Sequence, residues 1–331
     1  MTLKMLSLIG LLAAASNDLG APPSHAKTTV HIQRSAPSSS VAAGFIGRQK
    51  NPLAYPLADL KREVLVFKVD GLRQYALLLK PRGTPPRSGW PVVLFNHGFH
   101  PTPHDNGRRT EDGISDRPGD YYRQIPQTIA RAGFLVVTPD YRGHNDSEGS
   151  EFTLRGDSPA WYARDVQGAF AIAGTLDNTD LKNVFMLGHS MGAAVTLRAA
   201  AALGDRIRGA SLWSAALPKP ANPSATSGYL STYNQQDGPN AQPIDLSALI
   251  CELNIHHASG DPVTAIATST NLVEQLQRRQ KVVTLFTYDS PDHLFTDANL
   301  ASALARDIEF FRRIVSFGEP PQQDANAPLP H

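Results

Sequence analysis

The feature that most restricts the fold is a short segment, residues 188–192 (GHSMG), which we call the serine elbow. An apolar run at 184–187 precedes it and predicts a buried β-strand, and the alanine-rich stretch 191–203 after it predicts a helix. A serine at the tip of so tight a strand-to-helix turn needs strained backbone and small neighbours. The turn exposes the hydroxyl, and the first N–H groups of the helix point toward it. We therefore predict that Ser190 is a nucleophile at the carboxyl end of a β-strand.

Apolar runs and helix-like segments alternate along most of the chain. Two β-rich runs joined by Asp70 and Gly71 predict an antiparallel hairpin, and six further runs predict strands. The predicted strands are 62–69, 73–80, 92–95, 134–137, 184–187, 210–216, 253–256 and 282–288. The predicted helices are 121–131, 159–173, 191–203, 265–279 and 299–315. This alternation predicts an α/β fold: a mostly parallel eight-stranded sheet with helices on both faces and an antiparallel start.

The N-terminal residues have the pattern of an export signal. A lysine at position 4, an apolar run at 6–15 and small residues near Ala26 predict a signal peptide over 1–26, cleaved before Lys27. The apolar run is too short to span a bilayer. We therefore expect a secreted or periplasmic protein with no stable membrane insertion after cleavage. The alternative is an uncleaved anchor or a disordered leader.

Three further stretches lack a regular period. Residues 27–58 are interpreted as a linker or N-terminal arm, and the Pro- and Gln-rich tail 318–331 as disordered. Within the domain between them, 219–247 is a candidate lid, and 100–120 is a second long polar loop.

A serine hydroxyl is a poor nucleophile without a base, and the base needs an orienting acid. His293 follows the last predicted strand, at the carboxyl edge where open α/β sheets bind ligands, and is the favoured base. His256 and His257 lie within or at the end of a predicted strand and are interpreted as structural histidines.

Asp261 is the favoured acid because it follows the seventh predicted strand, in the order nucleophile, acid, histidine. A proline comes directly after it, so the same aspartate is also suited to cap a helix. Asp289 and Asp292 are rivals, but their closeness to His293 in sequence disfavours a good carboxylate-to-imidazole geometry.

The charge that develops on a substrate oxygen needs two backbone donors. We assign these to the N–H of Met191, directly after the nucleophile, and the N–H of Phe99, in the loop after the third predicted strand. His97 in that loop is interpreted as a residue that shapes the loop.

At these positions the chain resembles the α/β-hydrolase superfamily, and most closely its esterase and prolyl-oligopeptidase-like (dienelactone-hydrolase-like) branches. The matching motifs are 96–98 (NHG), 139–149 (PDYRGHNDSEG), the serine elbow, 260–263 (GDPV) and 292–293 (DH). They cover roughly 60–317, so the resemblance implies a catalytic domain over 59–317. It also implies that Arg142 is a buried or paired structural arginine.

The resemblance implies a serine hydrolase that cleaves carboxylic esters of small molecules through a Ser-His-Asp triad and an acyl-enzyme intermediate. Two alternatives stay open: a peptidase, amidase or acyltransferase with the same triad, and a non-catalytic binding protein that kept the fold. The related peptidases have a large propeller domain before the catalytic domain, and the stretch before Arg62 is too short for one, which favours ester cleavage.

Charge and composition disfavour several other functions. The net charge is +1, which offers no basic field for a nucleic acid. A single cysteine, Cys251, allows no intrachain disulfide. Four aspartates crowd the loop 100–120 without the spacing of an EF-hand calcium loop, so we expect no metal and no cofactor. They are Asp105, Asp112, Asp116 and Asp120.

Overall fold

A computed structural model describes residues 41–50, 57–100, 103–105, 122, 124–217 and 244–318. All of them belong to the structural unit Ser39–His331. The predicted signal peptide and the tail beyond 318 lie outside the described residues, as do most of the loop 100–120 and of the candidate lid 219–247. At the end of that lid segment, Leu246 is described and is buried against the core.

Within the described residues, nine strands form one mixed sheet. They are β1 (Ala43–Lys50), β2 (Leu60–Val69), β3 (Leu72–Pro81), β4 (Trp90–Asn96), β5 (Leu135–Asp140), β6 (Thr179–His189), β7 (Gly209–Trp213), β8 (Glu252–Ala258) and β9 (Val283–Tyr288). Their order in the sheet is β1-β2-β3-β5-β4-β6-β7-β8-β9. The pairs β1/β2, β2/β3 and β3/β5 are antiparallel, and all the others are parallel. The mostly parallel sheet with an antiparallel start is confirmed.

Helices cover both faces of the sheet. They are α1 (Gln124–Arg131), α2 (Ser158–Ala173), α3 (Met191–Leu203), α4 (Ile266–Arg278) and α5 (Asp297–Gly318). The apolar residues of α2, α3 and α4 join one buried cluster, and those of α1 and α5 join the other. Neighbouring strand residues such as Leu94 and Phe95 belong to opposite clusters, because successive side chains of a strand point to opposite faces. Strands β4, β5 and β7 are therefore buried along their whole length.

In the part of the chain that the structure describes, the sheet has one strand more than the eight predicted. Strand β1 lies inside the stretch 27–58, which the sequence predicts to be a linker, and it pairs with β2 at the sheet edge. Its sequence, AGFIGRQK, has two glycines and a polar end, and its register shifts between Phe45 and Gly47. A strand with an irregular register and an exposed outer edge has no sustained alternation for a sequence pattern to detect.

Arg142 is a buried structural residue, as predicted. Its side chain is 1% exposed and forms hydrogen bonds of 2.8 Å to Asp165 on α2 and 3.2 Å to Asp70 in the β2–β3 turn. This planar guanidinium group therefore ties the loop after β5 to a helix and to the hairpin.

In the described part of the chain, none of the helices has the length and hydrophobicity that a membrane span requires.

Candidate active site

Ser190 lies between the end of β6 and the start of α3, with φ at +55°. A serine rarely adopts this left-handed conformation, and two contacts help to hold it: Ser190 N–H donates to Trp213 O at 2.9 Å, and Ser190 O accepts from Ala216 N–H at 3.1 Å. At Gly192 a Cβ atom would overlap the backbone oxygen of Asn96, which explains the glycine. The elbow therefore has the strained turn that the sequence predicts.

The side chains of Ser190, His293 and Asp261 form one chain of hydrogen bonds. His293 Nε2 lies 2.9 Å from Ser190 Oγ, and His293 Nδ1 lies 2.8 Å from Asp261 Oδ2. Asp261 follows β8 and His293 follows β9, so all three residues lie at the carboxyl ends of parallel strands. This arrangement would allow the hydroxyl, imidazole and carboxylate to act as nucleophile, base and orienting acid.

Asp261 is almost fully buried, and its carboxylate accepts hydrogen bonds from other groups besides His293. Its carboxylate accepts hydrogen bonds from Val263 N–H at 2.8 Å, Thr264 N–H at 3.0 Å and Thr264 Oγ1 at 2.8 Å. Burial would raise the pKa of this carboxyl, but hydrogen bonds from His257, from His293 and from those two N–H groups outweigh burial, so the pKa lies well below its usual range. The acid is therefore held as a carboxylate.

The rival acids bond elsewhere. Asp292 accepts hydrogen bonds from Ser290 Oγ at 2.8 Å and Thr296 Oγ1 at 3.1 Å. Asp289 lies 3.5 Å from Ser259 Oγ. Both bind hydroxyl groups of nearby loops and helix ends, whereas Asp261 binds the imidazole.

His256 and His257 are buried and hydrogen-bonded within the fold. His256 lies 3.0 Å from Asp307 and 2.7 Å from the Tyr288 hydroxyl. His257 Nε2 lies 2.9 Å from Thr264 O and 3.4 Å from Asp261 Oδ2. His256 is therefore structural, and His257 also supports the carboxylate of Asp261.

The loop after β4 lies against the serine elbow. Gly98 N–H donates to the Tyr122 hydroxyl at 3.1 Å, and a Cβ atom on Gly98 would lie only 3.3 Å from Ser190 Cβ. Phe99 comes next, with a half-exposed side chain (46%). Met191 begins α3 directly after the nucleophile. The segments with both proposed donors are thus beside the hydroxyl, and their role as donors stays a prediction.

His97, in the same loop, is fully buried. Its Nδ1–H donates to Gly98 O at 2.9 Å, and its ring stacks on Tyr141 at 4.1 Å between centroids. Burial first, and then the neighbouring His144, hold the pKa of His97 well below its usual value. A neutral, stacked imidazole suits the predicted role of shaping the loop.

Sequence reasoning overlooked two residues of the site, His189 and Tyr122. His189 Nδ1 lies 2.9 Å from the Tyr122 hydroxyl, and His189 Nε2 lies 2.9 Å from the backbone oxygen of His293. Burial lowers the pKa of His189 to about 3. In the sequence, His189 occupies the variable position of the elbow motif and Tyr122 lies within the predicted helix 121–131, so neither has a pattern that marks it.

Metal ligation finds no support in the described part of the chain. No group of three or more His, Cys, Asp or Glu side chains there could hold a metal ion. Most of the aspartate-rich loop lies outside those residues. Cys251 is buried, and burial raises the pKa of its thiol to about 11.

Comparisons with known proteins support the α/β-hydrolase fold. Residues 91–243 match the family model Abhydrolase_1, described as alpha/beta hydrolase fold. A lysophosphatidylserine lipase, ABHD12, from Danio rerio is 29% identical over 36% of this chain, and a monoglyceride lipase homolog from Monkeypox virus is 36% identical over 24% of it. The matches span only 26% and 27% of those relatives.

Two solved structures share the fold at low sequence identity. Acylaminoacyl peptidase from Pyrococcus horikoshii superposes with a TM-score of 0.60 at 17% identity, over 78% of this chain and 42% of the peptidase. Est1E from Butyrivibrio proteoclasticus, solved with ferulic acid, superposes with a TM-score of 0.54 at 20% identity, over 75% of this chain and 97% of Est1E.

Proposed function

Because the chain belongs to the α/β-hydrolase superfamily, we propose that it is a serine hydrolase that cleaves carboxylic esters through an acyl-enzyme intermediate. The observation on which this proposal rests is the hydrogen-bond chain from Ser190 Oγ through His293 to Asp261. A hydroxyl 2.9 Å from an imidazole nitrogen can transfer its proton to that nitrogen as it attacks a carbonyl carbon.

In the first half of the proposed reaction, Ser190 Oγ attacks the ester carbonyl and its proton passes to His293 Nε2. The negative charge on the carbonyl oxygen is stabilised by the N–H groups of Met191 and Phe99. His293 then donates the proton to the departing alkoxide, which leaves as an alcohol. Asp261 stays ionised throughout, orients the imidazole through Nδ1–H and stabilises its cationic form.

In the second half, a water molecule attacks the acyl-enzyme and gives its proton to His293 Nε2. Collapse of the second tetrahedral intermediate breaks the bond to Ser190 Oγ, which recovers the proton from the imidazole. The products are a carboxylic acid and an alcohol, and the enzyme returns to its starting state.

Ester cleavage is favoured over peptide cleavage by the two curated relatives, because both are named lipases. The proposed substrates are accordingly small-molecule esters.

The experiment that tests this proposal measures hydrolysis of p-nitrophenyl esters of increasing acyl length, with feruloyl and acetyl-sugar esters and aminoacyl p-nitroanilides in parallel. We expect turnover of at least one ester series, and labelling of the wild type but not of Ser190→Ala by a fluorophosphonate probe. An unlabelled wild type with no turnover would contradict any serine hydrolase. Labelling with turnover of the anilides alone would replace the esterase by a peptidase, and transfer of the acyl group to an added alcohol faster than to water would identify an acyltransferase.

We also propose that residues 1–26 direct export and that the mature chain begins at Lys27, on the basis of the N-terminal pattern. N-terminal sequencing of the exported protein tests this proposal. A protein that keeps Met1 in the cytosol would contradict it.

A further inference from the structure

A line of hydrogen bonds joins the loop after β4 to the backbone of the base His293. Gly98 N–H donates to the Tyr122 hydroxyl at 3.1 Å, and that hydroxyl lies 2.9 Å from His189 Nδ1. On the other side of the ring, His189 Nε2 lies 2.9 Å from His293 O. We call this line the Tyr122–His189 relay.

The direction of each hydrogen bond follows from its partners. A carbonyl oxygen only accepts, so His189 must have its hydrogen on Nε2 in order to donate to His293 O. In a neutral ring the other nitrogen, Nδ1, is then an acceptor, and the Tyr122 hydroxyl donates to it. The tyrosine oxygen keeps a lone pair for Gly98 N–H. One protonation pattern thus satisfies these three bonds, and burial, which lowers the pKa of His189 to about 3, keeps the ring neutral.

The relay connects two parts of the site that belong to distant segments of the chain. At one end, Tyr122 binds the N–H of Gly98, the residue directly before Phe99, whose N–H is the proposed donor to substrate. At the other end, the backbone of His293 is bound by the residue that precedes the nucleophile. The His189 and His293 rings also lie 4.8 Å apart between centroids.

We propose that Tyr122 and His189 are positioning residues that hold the oxyanion-binding loop and the catalytic base in one fixed arrangement. The proposal deepens the esterase mechanism and rests on it. Neither side chain exchanges a proton with substrate. Their effect is on the placement of the Phe99 N–H group and of His293, both of which act mainly in the tetrahedral transition state.

The test is Tyr122→Phe, which removes one hydroxyl and keeps the ring. Its matched control is Tyr288→Phe, because Tyr288 also places a hydroxyl against a histidine ring nitrogen (2.7 Å from His256 Nδ1), away from the relay. For each protein we would measure kcat and KM with p-nitrophenyl acetate, and the inhibition constant of a phenylboronic acid, which forms a tetrahedral adduct with the serine. Thermal unfolding would show that both variants are folded.

For Tyr122→Phe we expect kcat to fall about 5- to 10-fold, the effect of one hydrogen bond. The boronate should bind weaker by a similar factor, while KM changes less than about 2-fold. Tyr288→Phe should leave all three values within about 2-fold. His189→Gln should resemble Tyr122→Phe, and the double variant should be little worse than either single one, since they interrupt the same relay. If Tyr122→Phe does not fold, His189→Gln gives the same comparison.

Wild-type kcat and boronate affinity in a folded Tyr122→Phe would overturn the relay. Equal losses in Tyr122→Phe and Tyr288→Phe would also overturn it, because they would reflect general stability. Failure of the esterase proposal has a different signature: the wild type itself would neither cleave esters nor react with a fluorophosphonate.

Discussion

Asp261 Oδ2 lies 2.8 Å from His293 Nδ1, although the two residues are 32 positions apart in the chain. The parallel pairing of β8 with β9 brings them together, because it sets the ends of both strands side by side, with Ala258 opposite Tyr288. The loops beyond are bonded as well, through Gly260 N–H and Ser290 O at 3.0 Å. The register of two strands thus determines the distance between the Asp261 and His293 side chains.

This geometry predicts that Asp261→Asn lowers kcat on the order of 10⁴-fold, because an amide no longer holds the imidazole in the tautomer that accepts the serine proton. KM should change little, since Asp261 does not contact substrate. Steady-state kinetics on an accepted ester provide the measurement. Asp292→Asn is the matched control, and we expect a mild effect because its partners are Ser290 and Thr296. A crippled Asp292→Asn beside an active Asp261→Asn would show that the acid is misplaced.

Ser190 and His293 should act as one unit. Ser190→Ala should lower kcat on the order of 10⁶-fold and leave the fold intact, and His293→Ala should cost nearly as much. The double variant should be little worse than either single variant, because each change already abolishes the nucleophilic step. Single-turnover kinetics with circular dichroism as a check of folding would test this. Additive losses in the double variant would contradict a joint role.

The central part of the fold could be predicted because most of its strands contain a continuous apolar run, such as 92–95 in β4 and 184–187 in β6. Strands β4 to β8 are buried by helices on both faces, so the run itself marks the strand. The edge strand β1 lies outside that region, has an irregular register and includes two glycines, so its pairing with β2 depends on a contact that no local pattern shows.

The predicted site residues come together because chain order and strand ends limit where a base and an acid can lie. Ser190, Asp261 and His293 each follow a strand, and their order along the chain narrows the choice among the remaining histidines and aspartates. The Tyr122–His189 relay could not be predicted in this way. Tyr122 precedes α1, and only the folded arrangement of β4, α1 and the elbow brings its hydroxyl to His189.

Arg142→Lys should lower the free energy of unfolding by about 2 kcal/mol or more. The lysine keeps the charge but cannot bind both Asp165 and Asp70 with the geometry of the guanidinium group, and a buried carboxylate then loses partners. Urea unfolding gives the value. Arg73→Lys is the control: its partner Glu148 is 43% exposed, so the change should cost less than about 1 kcal/mol. Equal effects at the two positions would show that burial does not increase the contribution of Arg142 to the free energy of unfolding.

Because three histidines are buried, we predict that the free energy of unfolding decreases as the pH is lowered. Burial is the main cause that lowers the pKa of His144 and of His189 to about 3, and it holds that of His97 well below its usual value. The histidines of the unfolded chain have an ordinary pKa of about 6.5. Below that pH the unfolded chain therefore binds more protons than the folded chain does. The stabilisation is complete above about pH 6.5 and is lost as the pH falls below it.

Each of these histidines should contribute a slope of about 1.4 kcal/mol per pH unit between about pH 6 and pH 4. Asp261 does not interfere in this window, because a carboxyl whose pKa is lowered on folding loses its stabilisation only below about pH 4. Urea unfolding at pH 6.0, 5.5 and 5.0 measures the slope as an order of magnitude. In His144→Gln the slope should decrease by about one histidine's share. A wild-type stability that does not change over this range would mean that these imidazoles take up protons in the folded protein, and would remove the basis for a neutral His189.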